Sequence, residues 1–99
     1  MKRIAELVSR IDEELADAKA YAEKYVDCKS RGNTARSTKF KEMATDELKH
    51  SMYLHEMAVA DIEEASKTAS PTAEMQKMWD YQHLNYIDTT ATIKNILAM

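Results

Sequence analysis

The first long helical segment of this chain is interrupted once, at Ser30-Arg31-Gly32-Asn33-Thr34. Gly32 can adopt the left-handed conformation that ends a helix, and Asn33 or Thr34 can cap the helix that follows. Apolar residues recur every three or four positions on both sides of this break, as they do in amphipathic helices. Because a short connection between two long helices makes them antiparallel neighbours, the stretch predicts a helical hairpin.

Apolar spacing extends this prediction to three helices, over residues 2–29, 34–67 and 71–97, in a single domain that spans residues 1–99. The third helix is expected to begin after Ser70, which would be the N-cap, with Pro71 in the first helical position. Only one Gly and one Pro occur in 99 residues, and Ala, Glu, Lys and Leu are abundant. Such a composition favours long helices over sheets, so we expect an all-α fold.

Charge and cysteine content exclude several classes of protein. The 14 basic and 17 acidic residues give a net charge of −3 without a basic block, which argues against nucleic acid as a partner. No apolar run approaches the roughly 18 residues of a membrane span, and the first residues do not lead into a signal-peptide core. The single cysteine, Cys28, excludes an internal disulfide framework and fits a reducing compartment. We therefore expect a soluble cytoplasmic protein.

Charged side chains interrupt the apolar stripes of the first two helices. The stripe of the first helix is Ile4, Leu7, Ile11, Glu14, Ala18, Tyr21, Tyr25, and that of the second is Phe40, Met43, Glu47, His50, Leu54, Met57. Carboxylates and an imidazole on the buried side of a helix are costly to desolvate unless something compensates them. Binding of a metal ion by Glu14, Glu47 and His50 is the compensation that this spacing suits best.

The hairpin also predicts that these three side chains meet. Counted from residues 31–32, Glu14 lies about 17 residues away on one helix, and Glu47 and His50 lie about 15 and 18 residues away on the other, roughly 25 Å from the turn in each case. One chain offers too few ligands for a paired-metal site, whereas two chains placed face to face supply four Glu and two His, the ligand set of carboxylate-bridged di-iron bundles. Carboxylate oxygens with imidazole suit iron or manganese, whereas structural zinc would prefer thiolate.

The pattern of Glu14, Tyr21 seven residues later and Glu47-x-x-His50 resembles the ferritin-like superfamily, including ferritins and rubrerythrins. The similarity covers residues 5–65, half of the usual four-helix unit, so the chain looks most like half-length members such as encapsulated ferritins, in which two chains complete one site. The resemblance implies a homodimer or higher homo-oligomer, with a protein shell as a further partner. It also implies Glu14, Glu47 and His50 as iron ligands, with Tyr21 beside them.

The activity implied by this resemblance is ferroxidase or related di-iron redox chemistry, in which a dioxygen species oxidises Fe(II), and Fe(III) stays bound or passes to a mineral store. An encapsulation tag would ordinarily be a short tail, whereas this chain ends at Ala98-Met99, within or just after its last helix, which argues against the encapsulated version.

Other interpretations of the sequence remain open. A helical assembly or adaptor protein, of phage or mobile-element origin, would keep the bundle without working chemistry, and a di-manganese or peroxide-detoxifying enzyme would use the same scaffold. The second carboxylate-x-x-His pair, Asp80 and His83, would complete a site within one chain if the third helix replaced the partner. His55 lies about 140° around the helix from His50, so we expect it at the surface.

Overall fold

The computed structural model describes residues 2–99 as three α-helices, α1 (Lys2–Ser30), α2 (Thr34–Ser66) and α3 (Ala73–Leu97). The predicted all-α class is confirmed, and this range contains no β-strand. The helices α1 and α2 pack along their length as an antiparallel hairpin, which gives an elongated molecule of 55 × 17 × 16 Å. Across residues 2–99, none of the helices is both long and apolar enough to pass through a membrane.

The turn of the hairpin forms as its residues predict. Gly32 has a φ of +75°, the left-handed conformation that glycine adopts without a Cβ penalty. The Asn33 side chain accepts a hydrogen bond of 3.2 Å from the backbone N–H of Arg36, so Asn33 and not Thr34 caps α2. This bond satisfies one of the donors that a helix start leaves free.

The predicted start of α3 is wrong by two residues. The helix begins at Ala73, and Thr72 is its N-cap, with the hydroxyl accepting a hydrogen bond of 3.2 Å from the backbone N–H of Met75. Ser70 and Pro71 lie in the connection before it. With Thr72 as the cap, Glu74 lies in the first turn, where a carboxylate interacts well with the helix dipole.

Small side chains of α2 form the centre of the hairpin contact. The buried residues of α2 recur at intervals of seven and are Ser37, Ala44, Ser51 and Ala58. They face the larger buried side chains of α1, among them Ile11 and Leu15. The two serine hydroxyls donate to carbonyl groups of their own helix, at 3.0 and 2.7 Å, so their burial leaves no donor unpaired.

This arrangement corrects the predicted stripe of α2. Met43 and Met57 are exposed, because the contact with α1 runs through the neighbouring positions that carry Ala and Ser. Side chains of this size allow the two backbones to approach closely, so the bulkier residues lie at the edge of the contact. The predicted stripe of α1 is confirmed at most of its positions, with Tyr21 half-buried.

The third helix runs in the same direction as α1 and packs mainly against it. Near one end of this contact the Gln82 side chain donates to the Asp12 carboxylate at 2.6 Å, and near the other the Lys29 ammonium donates to the Met99 carbonyl, also at 2.6 Å. Ile93 is fully buried between them. The hairpin therefore has one face covered by α3, while the face that carries Glu47 and His50 is left open.

Candidate metal centre

The three predicted ligands converge in the structure. Glu14 on α1 and Glu47 and His50 on α2 each offer one ligand atom, and these atoms lie within 4.8 Å of one another. Among residues 2–99 this is the one group of three or more His, Cys, Asp or Glu side chains with such geometry. The prediction that the hairpin brings these residues to the same height is confirmed.

The separations within the group are close to those of ligands on a shared ion. His50 Nδ1 lies 3.7 Å from Glu14 Oε2 and 4.0 Å from Glu47 Oε1, too far for hydrogen bonds. Two atoms that each bind one divalent cation at about 2.1 Å lie at most about 4.2 Å apart. Both distances to His50 fall inside this limit, and the group as a whole lies within 4.8 Å, so the two carboxylates must approach each other only slightly for all three atoms to share one ion.

Burial differs among the three side chains. Glu14 is 9% exposed, the Glu47 side chain is 22% exposed, and the His50 side chain is 56% exposed. The prediction that His50 lies on the buried side of α2 is therefore wrong for the single chain. The cause is the contact through Ala44 and Ser51, which rotates α2 so that His50 lies at the open edge of the hairpin.

Glu14 already has one charged partner. Arg10, one turn earlier on α1, donates from Nη2 to Glu14 Oε1 at 3.0 Å. This contact occupies one carboxylate oxygen and leaves Oε2 facing His50. Because the Arg10 side chain is 60% exposed, solvent screens the pair and its contribution to stability is modest.

Glu47 provides the strongest evidence that the group binds a further ion or molecule. Its Oε2 atom is buried and accepts no hydrogen bond from any residue in the range 2–99. A buried acceptor that stays unpaired costs about 1–3 kcal/mol, and more when the group is charged. Native proteins satisfy such atoms with ordered water or an ion. The donor set of two carboxylates and an imidazole fits a hard or borderline divalent cation such as Fe(II) or Mn(II).

Tyr21 lies on the same face of α1, two turns closer to the hairpin turn than Glu14. Its half-buried ring packs against Phe40, with ring centroids 6.3 Å apart and planes inclined by 25°. Within residues 2–99 its hydroxyl forms no hydrogen bond to Glu14 or Glu47. The observed contact is therefore hydrophobic packing, and a role for Tyr21 beside a metal stays a prediction.

The second carboxylate-x-x-His pair does not join the candidate site. Asp80 accepts a hydrogen bond from Gln76, its neighbour one turn earlier, and His83 pairs with His55. The structure thus gives no support to a complete site built by α3 within one chain.

The prediction that His55 lies at the surface is wrong. This side chain is half-buried, and its ring lies parallel to that of Tyr86 with centroids 4.2 Å apart. The available signal was in α3, where Trp79, His83 and Tyr86 follow each other at intervals of four and three and so share one face. An aromatic face on α3 needs a matching partner, and His55 supplies it.

Comparison with known proteins adds no relative: no protein-family model, curated protein or solved structure matches this chain. The resemblance to the ferritin-like superfamily therefore depends on Glu14, Tyr21, Glu47 and His50 alone.

Proposed function

We propose that this chain binds iron through Glu14, Glu47 and His50, and that two copies join their hairpins to form a di-iron site with ferroxidase activity. The observation that supports it is the convergence of three ligand atoms within 4.8 Å, at a place where the buried Glu47 Oε2 has no hydrogen-bond partner among the described residues. Neither a glutamate nor a histidine on a helix is unusual alone. Their meeting across two helices around an unpaired charged atom is what favours a bound cation.

The open face of the hairpin suits a second copy. Exposed Met43 and Met57 flank Glu47 and His50 on α2, at the spacing of one helical stripe. Burying such side chains contributes about 25 cal/mol for each Å² of apolar surface. A second hairpin placed here would cover both methionines and His50, and its own three ligands would face the first set. The result would be a ferritin-like four-helix bundle with four Glu and two His around two metal ions.

Each side chain would have a distinct role in this site. Two Fe(II) ions held there would supply the redox chemistry, each giving up one electron to dioxygen as the acceptor. The carboxylates of Glu14 and Glu47 favour the more highly charged ferric state, because they place negative charge in a partly desolvated environment. His50 would bind the metal through a ring nitrogen that carries no proton. Arg10 holds Glu14 Oε1, so that Oε2 is the oxygen presented to the metal.

Iron binding and oxidation test this proposal directly. Fe(II) is added to the purified chain without oxygen, the bound metal is counted, and air is then admitted while the near-ultraviolet absorbance of Fe(III) is followed. We expect one iron per chain and rapid oxidation, both lost in Glu47→Ala and His50→Ala. Glu13→Ala is the matched control, because Glu13 is adjacent to Glu14 but its side chain is 64% exposed. Wild-type chain that binds no iron, or variants that oxidise it equally fast, would refute the proposal.

One observation favours a second candidate, a helical assembly protein without metal chemistry. The Arg10–Glu14 ion pair already provides a counter-charge for the most buried carboxylate of the group. If this counter-charge stabilises the group without a metal ion, the open face of α2 serves only for association. In that case, replacing Glu14, Glu47 and His50 together by apolar residues leaves the mass measured by light scattering unchanged, and the wild-type chain contains no stoichiometric metal. The same metal analysis would distinguish iron from manganese.

A further inference from the structure

A second cluster of side chains joins α3 to the hairpin, away from the candidate metal centre. His55 on α2 lies against three rings of α3, those of Trp79, His83 and Tyr86. The Tyr86 ring covers one face of His55, and the Trp79 ring centroid lies 5.6 Å from that of His55. Whereas α3 packs mainly on α1, this cluster joins it to α2.

The two imidazoles meet edge to edge. His55 Nε2 lies 3.0 Å from His83 Nδ1, the ring planes are inclined by 22°, and the ring centroids are 5.1 Å apart. Rings in face-to-face contact would not bring two nitrogens so close, so the geometry is that of an N–H···N hydrogen bond. Such a bond needs one ring nitrogen as donor and the other as acceptor, which requires that the acceptor ring be neutral.

The surroundings of this pair are mostly apolar. From α1, Val8 and Ile11 line the space beside His55, and Gln82 of α3 completes it. On α1, the Asp12 carboxylate accepts a hydrogen bond from Gln82. Burial raises the pKa of Asp12, and the hydrogen bond from Gln82 opposes this shift.

Electrostatics at the pair favour the neutral form of His55. Burial lowers the pKa of His55, the positive charge that His83 can carry lowers it further, and Glu56 on α2 partly opposes both effects. Tyr86 is also titratable. Burial, and to a smaller extent Glu56, raise its pKa, so its hydroxyl stays protonated throughout the range in which histidine titrates.

We propose that the His55–His83 hydrogen bond holds α3 against α2 as long as one ring is neutral, and that protonation of both rings releases this edge of α3 from α2, while its contact with α1 remains. Two imidazolium rings have four N–H donors and no acceptor, so the bond at 3.0 Å cannot persist and is replaced by repulsion between like charges. The device would make the position of α3 sensitive to acidification, independently of any metal bound by Glu14, Glu47 and His50.

The sign of the pH dependence follows from the lowered pKa of His55. In the unfolded chain this ring protonates near its ordinary pKa of 6.5, whereas in the docked state protonation requires a lower pH. The stabilisation of the docked state is therefore complete above pH 6.5. It is lost as the pH falls through 6.5 towards the pKa that His55 has in the fold.

Trp79 provides the assay, because it is the single tryptophan of the chain and lies within the cluster. Its emission maximum is recorded on the full chain from about pH 8 to about pH 4.5, the range in which histidine titrates. We expect a shift to longer wavelength as the pH falls below about 6.5, while helical ellipticity at 222 nm is largely retained. In His83→Gln the side-chain amide oxygen can still accept from His55 even when His55 is protonated, and the amide has no charge to gain, so the shift should shrink or disappear. Lys77→Gln, at an exposed position of α3 outside both clusters, is the matched control and should behave as the wild type.

Four results would overturn the proposal. The first is an unchanged Trp79 emission down to pH 4.5 in the wild-type chain, and the second is an identical shift in His83→Gln. The third comes from proton NMR titration of the wild-type imidazoles, which needs no variant: His55 and His83 should titrate as a coupled pair in two steps, and two independent ordinary titrations would contradict proton sharing. If micromolar Zn²⁺ at pH 7.5 alters Trp79 emission in the wild type but not in His83→Gln, the rings bind a cation and the proposal is likewise refuted.

Discussion

Replacing Glu14 by leucine separates the contribution of Glu14 to packing from its contribution to metal binding. Glu14 is 9% exposed and lies on the buried face of α1, between the apolar side chains of Ile11 and Ala18. Leucine has a similar volume and loses nothing on desolvation. The substitution therefore removes a buried charge without leaving a cavity. The stability of the metal-free chain and that of the metal-loaded chain should change in opposite directions.

The metal-free chain should become slightly more stable. Exchanging a buried ion pair for apolar residues either leaves the free energy of unfolding unchanged or raises it by about 1–4 kcal/mol. Because Arg10 is 60% exposed and its pairing with Glu14 is screened, we expect the low end, about 1 kcal/mol. For a domain of this size, this raises the melting temperature by about 4 °C.

The metal-loaded chain should respond in the opposite way. A ligand that binds only the folded state stabilises it by about 2.7 kcal/mol when its concentration is 100 times the dissociation constant. Wild-type chain gains this stabilisation, and Glu14→Leu, which lacks one of three ligands, should gain little of it. The order of stability of the two proteins should thus reverse when metal is added.

Thermal unfolding followed at 222 nm, in chelator and in excess Mn(II), measures both effects. Mn(II) is suitable because it suits the same donors as Fe(II) and does not oxidise readily in air. Glu13→Leu, at a position where the side chain is 64% exposed, should follow the wild type under both conditions. If Glu14→Leu melts lower than wild type in chelator, or if wild type gains nothing from metal, the interpretation of Glu14 as a buried ligand is refuted.

Substitutions at three further positions test the hairpin itself. Ala44→Leu places a larger side chain at a fully buried position of α2 and should lower the free energy of unfolding in urea by about 1–3 kcal/mol. An unchanged unfolding midpoint would contradict this expectation. Gly32→Ala meets no atom within 4 Å but must keep a φ of +75°, so strain alone should cost about 1–2 kcal/mol in the same assay, and a stabilised variant would contradict this. Asn33→Ala removes the side-chain cap of α2 and should lower stability by about 1 kcal/mol, whereas Asn33→Asp should retain most of it.

Local signals in the sequence predict the helices and the turn of this fold. Gly32 and Asn33 act through their own backbone and side-chain chemistry, so the end of α1 and the start of α2 could be predicted closely. The start of α3 was less certain because Ser70 and Thr72 are both competent caps, and the choice between them depends on the turn that follows.

The packing of α2 could not be predicted in the same way. Ser37 and Ser51 are polar by type, and nothing local indicates that their hydroxyls are satisfied by the carbonyls of their own helix and can be buried. Hydrophobicity alone selected Met43 and Met57, which are exposed. The rotation of α2 about its axis was therefore misjudged, and with it the exposure of His50.

The site was predicted better than the burial of its members. Counting residues from the turn was sufficient to bring Glu14, Glu47 and His50 to one height, since helical rise is nearly constant. The pairing of His55 with His83 joins residues 28 positions apart on helices whose mutual contact is slight. Such a contact depends on how α3 is placed against the hairpin, and residue spacing within α2 does not predict that placement.

The seven-residue interval of the buried residues in α2 has a consequence for any partner of this chain. A straight α-helix drifts by about 20° for every seven residues, so contact maintained from Ser37 through Ala58 requires the two helices to wind around each other in a left-handed supercoil. The open face that carries Glu47 and His50 follows the same winding. A partner must have matching twist to stay in contact along it, and another copy of this hairpin has that twist without further adjustment.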